Sequence, residues 1–219
     1  MVQEPEVLGI RDAARELPAL DERSQRIIAV AIELAEQDGY DAVRLRDLAE
    51  RAGVALATVY RRFSCKEDIL AAALDQQVAY ATAMLNESTI PGETPPQRLK
   101  WFFRQATALL VQQPKLASAM LRTVACGVPE VAERITRYRA RVTEIILTIY
   151  RDDAGQGQPS DAEYMLAHLL QNVWYGGLVG WTGGVHGPDV IGLQIDAAVD
   201  LLVAGSELRR RASAPTPPA

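Results

Sequence analysis

The chain has 219 residues, 23% of them charged and 48% hydrophobic, with a formal net charge of -5. That length suits one large domain or a small domain beside a medium one, and the composition excludes a mini-protein, a disordered chain, a collagen-like repeat and a coiled-coil rod. The negative charge excludes a uniform attraction to nucleic acid or to an anionic membrane, so any such binding has to be local.

Residues 1–20 hold Pro5, Gly9 and Pro18 without sustained periodicity and read as a flexible arm. Their acidic residues Glu4, Glu6, Asp12 and Glu16 do not fit a signal peptide. Asp21 is a plausible N-cap for a first helix, in which Ile27, Ala31, Leu34 and Ala35 recur at the helical period until Gly39. Leu45, Leu48, Ala49 and Ala52 predict a very short second helix before Gly53. A third follows over Ala55 to Phe63, and a long fourth from Lys66 to about Asn86. The strongest interruption is Ile90 to Pro96, with Pro91, Gly92, Pro95 and Pro96.

Beyond it, Leu99, Phe102, Phe103, Ala106, Leu109 and Leu110 mark an amphipathic helix that stops near Pro114. Helices are then predicted over Lys115 to Cys126 and Pro129 to Tyr150, followed by a Gly-rich loop to Pro159. Ser160 or Asp161 caps a helix to about Gly183, and Pro188 or Asp189 opens a last one to about Arg210. Glu163 to Gly183 has the length of a membrane span, but His168, Gln171, Asn172 and its glycines favour a buried soluble helix. The Pro-rich tail 212–219 reads as disordered. With no alternating apolar and polar run, the expected fold is all-α with about nine helices. Its divisions are an arm at 1–20, a helix-turn-helix domain at 21–68, a second helical domain at 69–211 and the tail.

Function concentrates in residues 41–66, where Arg44, Arg46, Arg51, Arg61, Arg62 and Lys66 outnumber Asp41, Asp47 and Glu50. Two short helices joined through a glycine fit a helix-turn-helix, whose second helix enters the major groove of DNA. At about 100° per residue, Leu56, Val59 and Phe63 cluster inward, Ala57, Thr58 and Arg61 point outward, and Tyr60 and Arg62 lie on the flanks. Small Ala57 permits close approach, Thr58 and Arg61 suit base edges, and Tyr60, Arg62 and Lys66 suit phosphates. A solvated basic surface would show the same periodicity.

The stretch from Arg26 to Leu70, above all Gly39 to Ala42, Asp47 to Val54, Thr58 to Phe63 and Lys66 to Leu70, resembles the DNA-binding domain of the TetR family. The resemblance implies a homodimeric transcriptional regulator, usually a repressor that leaves a palindromic operator when a small molecule binds. It implies DNA contacts at Leu56, Ala57, Thr58, Tyr60, Arg61, Arg62 and Lys66, with Arg44 and Arg46 at the start of the second helix. Two positions depart from the family pattern. Arg44 stands where Ser or Thr usually caps the second helix, and Cys65 where Ser or Asn is common. Ser64 with Glu67 is then a candidate capping box. Cys65 is a candidate redox switch, although a lone cysteine is more often inert.

Asn172 to Trp174 and Leu178 to Trp181, with Ala42 to Arg46 and Ala52 to Ala55, further resemble family members that repress sterol catabolism in actinobacteria. That resemblance implies a steroid or acyl-CoA thioester as the hydrophobic effector. Trp101, Phe102, Phe103, Leu109, Met120, Trp174, Leu178 and Trp181 together are candidates to line its pocket, although plain core is the favoured reading of any single one. Gly176 and Gly180, with Ile191, Ile195, Ala198, Leu201 and Leu202, are candidates for a dimer interface built by the last two helices.

His168 and His186 belong to no nucleophile, base or metal constellation, so no enzyme, metal or cofactor is expected. Cys65 and Cys126 form no disulfide framework, and a cytoplasmic location is expected. The alternative is an architectural or interaction protein that binds DNA without an effector.

Overall fold

The computed structural model describes residues 20–87, 90–151 and 157–212, so most of the expected arm and tail lies outside the described residues. The all-helical expectation is met: among the described residues there are nine α-helices and a 3-10 turn, and no strand. Helix α1 (Glu22–Asp38) starts at Asp21, whose Oδ1 accepts a hydrogen bond from the Ser24 N–H at 2.9 Å. It ends where Gly39, at φ 81°, turns the chain into the 3-10 turn Tyr40–Ala42. Helices α2 (Leu45–Arg51), α3 (Leu56–Arg62) and α4 (Lys66–Glu87) follow.

Pro95 and Pro96, read above as part of an interruption, form the first turn of α5 (Pro95–Gln112). Pro114 likewise opens α6 (Pro114–Val124). A proline in the first helical turn sacrifices nothing, because the N–H there has no intrahelical partner. Then come α7 (Pro129–Arg151), α8 (Asp161–Thr182) and α9 (Pro188–Ala212). Ser160 is the cap of α8, its N–H donating to Glu163 Oε2 at 2.7 Å while its Oγ accepts from the Glu163 N–H at 3.3 Å.

The helices form two compact units. One joins the described residues up to Glu87 with Leu109–Val142, and the other joins Ile90–Ala108 with Thr143 onward. These compact units cut across the division expected after residue 68, grouping α4, α6 and the first part of α7 with the helix-turn-helix. Three short helices cannot enclose a core alone. Ile27, Ile28, Leu34, Leu48, Val59, Phe63 and Leu70 are buried in one cluster with Leu116, Ala119 and Met120 of α6. In the other unit α8 and α9 pack along one another. Lys100 and Arg104 of α5 reach Asp200, at 2.6 Å, and Asp196 of α9. Buried Arg98 donates from Nε to the Ile149 carbonyl at 3.2 Å near the end of α7.

An internal charge cluster fastens α7 to α4 within the first unit. Arg134 donates from Nε to Asp68 Oδ1 at 2.9 Å and from Nη1 to Asp75 Oδ2 at 3.3 Å. Asp75 is only 2% exposed, and its burial pushes the carboxyl above the usual carboxylate range even though Arg134 pulls the other way. Its second oxygen has no partner among the described residues. Removing Arg134 would strand Asp75 and leave Asp68 with only its bonds from Ser64. Breaking a fully buried pair costs about 3–5 kcal/mol. Because the Arg134 side chain keeps 20% exposure, Arg134→Met is expected to destabilise the fold by a smaller amount, about 2–3 kcal/mol.

A carboxyl whose folded pKa is raised costs stability progressively as pH rises from the ordinary carboxylate range through the raised value, and the cost is constant above it. The deficit of Arg134→Met should thus shrink as pH falls toward the ordinary carboxylate range and grow as pH rises from it to a plateau, as read by urea denaturation. A loss independent of pH would show that Asp75 is not the stranded charge.

Candidate nucleic-acid interface

The turn joining α2 to α3 is fixed by its backbone. Gly53, at φ 64°, lets its N–H reach the Glu50 carbonyl at 3.1 Å, while the Val54 N–H reaches Ala49 at 2.9 Å. This pair of hydrogen bonds satisfies carbonyls of the last turn of α2 and redirects the chain without a side-chain cap. Ala55 then leads into α3, in extended conformation and with no capping side chain. Val59 and Phe63 are buried, Leu56 and Thr58 half-buried, and Ala57, Tyr60 and Arg61 exposed. The helix therefore presents the two faces that its periodicity predicts, with Thr58 set deeper than expected. Arg44 and Arg46 are exposed at the start of α2, and Arg44 stands at the cap position without a capping bond. Neither these two nor Arg61 has a partner among the described residues.

Two of the expected phosphate-binding cations are engaged within the protein instead. Arg62 turns back to α1, its Nη1 lying 2.5 Å from Asp21 Oδ2 and donating to Ser24 Oγ at 3.0 Å. The Ser24 bonds, followed by Arg62, hold the Asp21 carboxyl down at about 2. Lys66 sits 3.7 Å from the centre of the Tyr40 ring and donates to the Tyr40 carbonyl at 3.4 Å. Arg122 of α6 stands 4.0 Å from the centre of that ring, a pair of cation–π contacts. The Tyr40 hydroxyl donates to Glu67. Burial, then that acid, raises the Tyr40 hydroxyl well above its ordinary range.

The expected capping box of Ser64 with Glu67 is not what forms. Glu67 is occupied by Tyr40, and Asp68 Oδ2 accepts from the Ser64 N–H at 3.0 Å. With α4 beginning at Lys66, Asp68 is the third helical residue and reaches back over the turn. Burial pushes the Cys65 thiol up, which keeps it protonated and poorly reactive.

The reading of single residues missed Arg23 and Arg26. Both are exposed on α1, and with Gly53, Val54, Ala55 and Thr58 they line a cleft of about 250 Å³. Their spacing of three on a helix was the available signal, but nothing local brings α1 to the turn before α3.

The candidate effector residues separate. Phe103 is fully buried, edge-on to Phe102 at 5.2 Å and 5.6 Å from Trp174, whose Nε1 donates to Thr107 Oγ1 at 2.9 Å. Leu178 is buried and Trp101 borders on exposed. Met120 instead lies in the core of the first unit, since its helix closes that core, and Leu109 is exposed. The candidate dimer residues also need correction. Ile191 and Ile195 are buried in the seam with α8, the apolar face of α9 having turned inward. A Cβ on Gly177 would come within 3.4 Å of Ile191 and 3.2 Å of Gln194, so Gly177 is the residue that permits this close packing. Gly180 faces the ring of His186 in its own chain, whereas Gly176 is open. Ala198 and Leu202 are half-buried, and the exposed large apolar side chains of the two helices are Leu193, Leu201 and Leu208 of α9 with Met165, Leu169 and Val179 of α8.

No group of His, Cys, Asp and Glu suited to a metal occurs among the described residues. No helix among them is long and apolar enough to cross a membrane.

Comparison with known proteins agrees with this architecture. Residues 27–73 match the family model described as bacterial regulatory proteins, tetR family. Residues 92–202 match a tetracyclin repressor-like C-terminal domain. The HTH-type transcriptional repressor KstR of Mycobacterium tuberculosis is 28% identical over 85% of this chain and 83% of its own. KstR of Rhodococcus jostii is 26% identical over 87% of each. Among solved structures, a TetR transcriptional regulator from Rhodococcus sp. RHA1 shares the fold at TM-score 0.74, with 24% identity over 82% of this chain and 94% of that one. The regulator FadR of Bacillus subtilis, solved with stearoyl-CoA, shares it at TM-score 0.59, with 22% identity over 83% of this chain and 98% of that one.

The internal bonding separates two neighbouring arginines. Arg62→Ala should lower stability by about 1 kcal/mol through loss of its bonds to Asp21 and Ser24, while Arg61→Ala should leave the denaturation midpoint in place. Equal midpoints for the two variants would show that the α1 contact contributes nothing.

Proposed function

This chain belongs to the TetR family of bacterial regulatory proteins, and from that premise we propose that it is a homodimeric transcriptional repressor released from a palindromic operator by a hydrophobic small molecule. The observation that carries the reading is the exposed face of α3, where Ala57, Tyr60 and unpaired Arg61 stand opposite buried Val59 and Phe63. A helix of that kind fits the major groove, with Ala57 allowing approach and Arg61 long enough for guanine. Arg44 and Arg46 supply cations for the flanking backbone, and Thr58 a hydroxyl. Such a local basic face is what an acidic chain needs in order to bind DNA.

The exposed leucines Leu193, Leu201 and Leu208 of α9, with Val179 of α8, supply an apolar surface for a second copy. Two copies would read half-sites about 34–36 Å apart, one helical turn of DNA. The effector is a hydrophobic acyl-CoA thioester, steroidal or fatty, that contacts the aromatic group of Phe102, Phe103 and Trp174. Resemblance to KstR over most of the chain and the fold shared with the stearoyl-CoA complex support that class.

Coupling runs through α4, whose first turn is bonded by Asp68 to Ser64 on one side and to Arg134 on the other. A ligand that prefers a different placement of α7 would shift the population of the DNA-competent conformation through that carboxylate. The reading describes a regulator in the cytoplasm with no catalytic residue.

Selection of bound sequences from random DNA should return an inverted repeat. Arg61→Ala should then reduce discrimination between operator and random DNA by about 1–3 kcal/mol. Enrichment of no sequence, with no binding even at low salt, would reject the function; a lone half-site would reject the dimer.

Steroidal or fatty acyl-CoA thioesters should raise the thermal midpoint of the free protein, because a ligand preferring the native state stabilises it. A midpoint unmoved by either series would remove this effector class and leave the DNA-binding reading standing.

A further inference from the structure

The cleft beside α3 has a chemistry that the major-groove reading leaves unused. Its walls are Arg23 and Arg26 from the first turns of α1, the bare backbone of Gly53 to Ala55, and Thr58. Both guanidinium groups are without a partner among the described residues. The acid that would most readily quench them, Asp21, is already held by Arg62 and by the Ser24 N–H. Gly53 has no atom within 4 Å of where a Cβ would stand, so the turn leaves room for a group to approach its backbone.

The cleft is also held in shape by a scaffold contact. Arg62 at the end of α3 ties the start of α1 to the helix, which keeps Arg23 and Arg26 alongside Thr58 instead of letting the N-terminal turn of α1 splay away. Two arginines three residues apart on one helix face present forked N–H donors toward the same volume, a donor set matched to phosphate oxygens. A hydroxyl donor at Thr58 completes it. Thr58 follows Ala57 directly, so the cleft adjoins the face that would meet the bases.

We propose that this cleft is a phosphate-binding site, in which Arg23, Arg26 and Thr58 grip one backbone phosphate of each operator half-site and set how far α3 enters the groove. The inference rests on the DNA-binding reading and adds to it a contact that carries no sequence information itself. Positioning of this kind is the usual office of phosphate contacts.

The test uses the full-length protein and a duplex carrying the selected inverted repeat. Arg23→Gln and Arg26→Gln should each weaken binding about tenfold on operator and random duplex alike. Each should also flatten the dependence of log affinity on log salt by about 0.9, the value for one released counterion on B-DNA. Arg26→Lys, which keeps the charge, should recover most of the slope. A neutral methylphosphonate walked along the duplex should reveal one sensitive position per half-site in the wild-type protein that becomes silent in the doubly substituted Arg23→Gln, Arg26→Gln protein.

Thermal midpoints check that the variants fold, and the methylphosphonate walk on wild-type protein stands even if one of them does not. Unchanged slopes in folded variants, or a walk in which no position depends on the two arginines, would overturn the proposal while wild-type operator binding keeps the regulator reading intact. Calorimetric binding of inorganic phosphate at the two arginines, with DNA affinity unaffected by their loss, would overturn it in favour of a free-anion site. Failure of the wild-type protein to bind any duplex would overturn both readings together.

Discussion

A seven-residue helix is not stable by itself in water, because forming its first turn costs more than so few hydrogen bonds return. Helix α3 therefore owes its shape to what touches it. Val59 and Phe63 enter a core supplied by α1, α4 and α6, and Arg62 bonds its end to the start of α1. Ahead of it, the backbone bonds around Gly53 set the turn from α2. Behind it, Asp68 holds the turn into α4. The three exposed residues Ala57, Tyr60 and Arg61 inherit a rigid presentation from bonds they do not make.

The charges divide along the same lines. A net charge of -5 leaves no general pull toward DNA, so the cations that remain uncommitted matter more than the total. Arg62, Lys66 and Arg122 are engaged with Asp21, Tyr40 and neighbouring groups, and they hold α1, the 3-10 turn, α4 and α6 in register. Arg23, Arg26, Arg44, Arg46 and Arg61 are unengaged among the described residues. The basic stretch at residues 41–66 is thus divided, with Arg62 and Lys66 serving as scaffold and Arg44, Arg46, Arg51 and Arg61 as exposed surface. Substituting any of its members without regard to that division would confuse stability with affinity.

Much of this was legible in the sequence, and the failures share a cause. Helical periodicity, Asp21, Gly39, Ser160 and the prolines that open α7 and α9 mark elements whose signals are local. The inward set of Val59 and Phe63 follows from spacing alone. What spacing does not reveal is which partner a long side chain finds. Lys66 and Arg62 look like surface cations until Tyr40 and Asp21 arrive from elsewhere in the chain. Met120 looks like pocket lining until α6 closes the first core, and Ile191 and Ile195 look like an interface until α8 covers them. Arg23 and Arg26 fail in the opposite direction, because their place beside Gly53 depends on how α1 crosses the turn.

The sharing of one core by α1, α4 and α6 bears on how such a protein can be rebuilt. Leu116, Ala119 and Met120 come from a stretch of chain beyond α5, so the reading head is discontinuous in sequence. A chimera that joins residues 20–87 to a foreign sensor would carry an open wound of Ile27, Ile28, Leu34 and Leu70 unless it brings α6 along. Recombination between relatives is therefore constrained to exchange the two segments as a pair, or to find a donor whose sixth helix fits the same hollow.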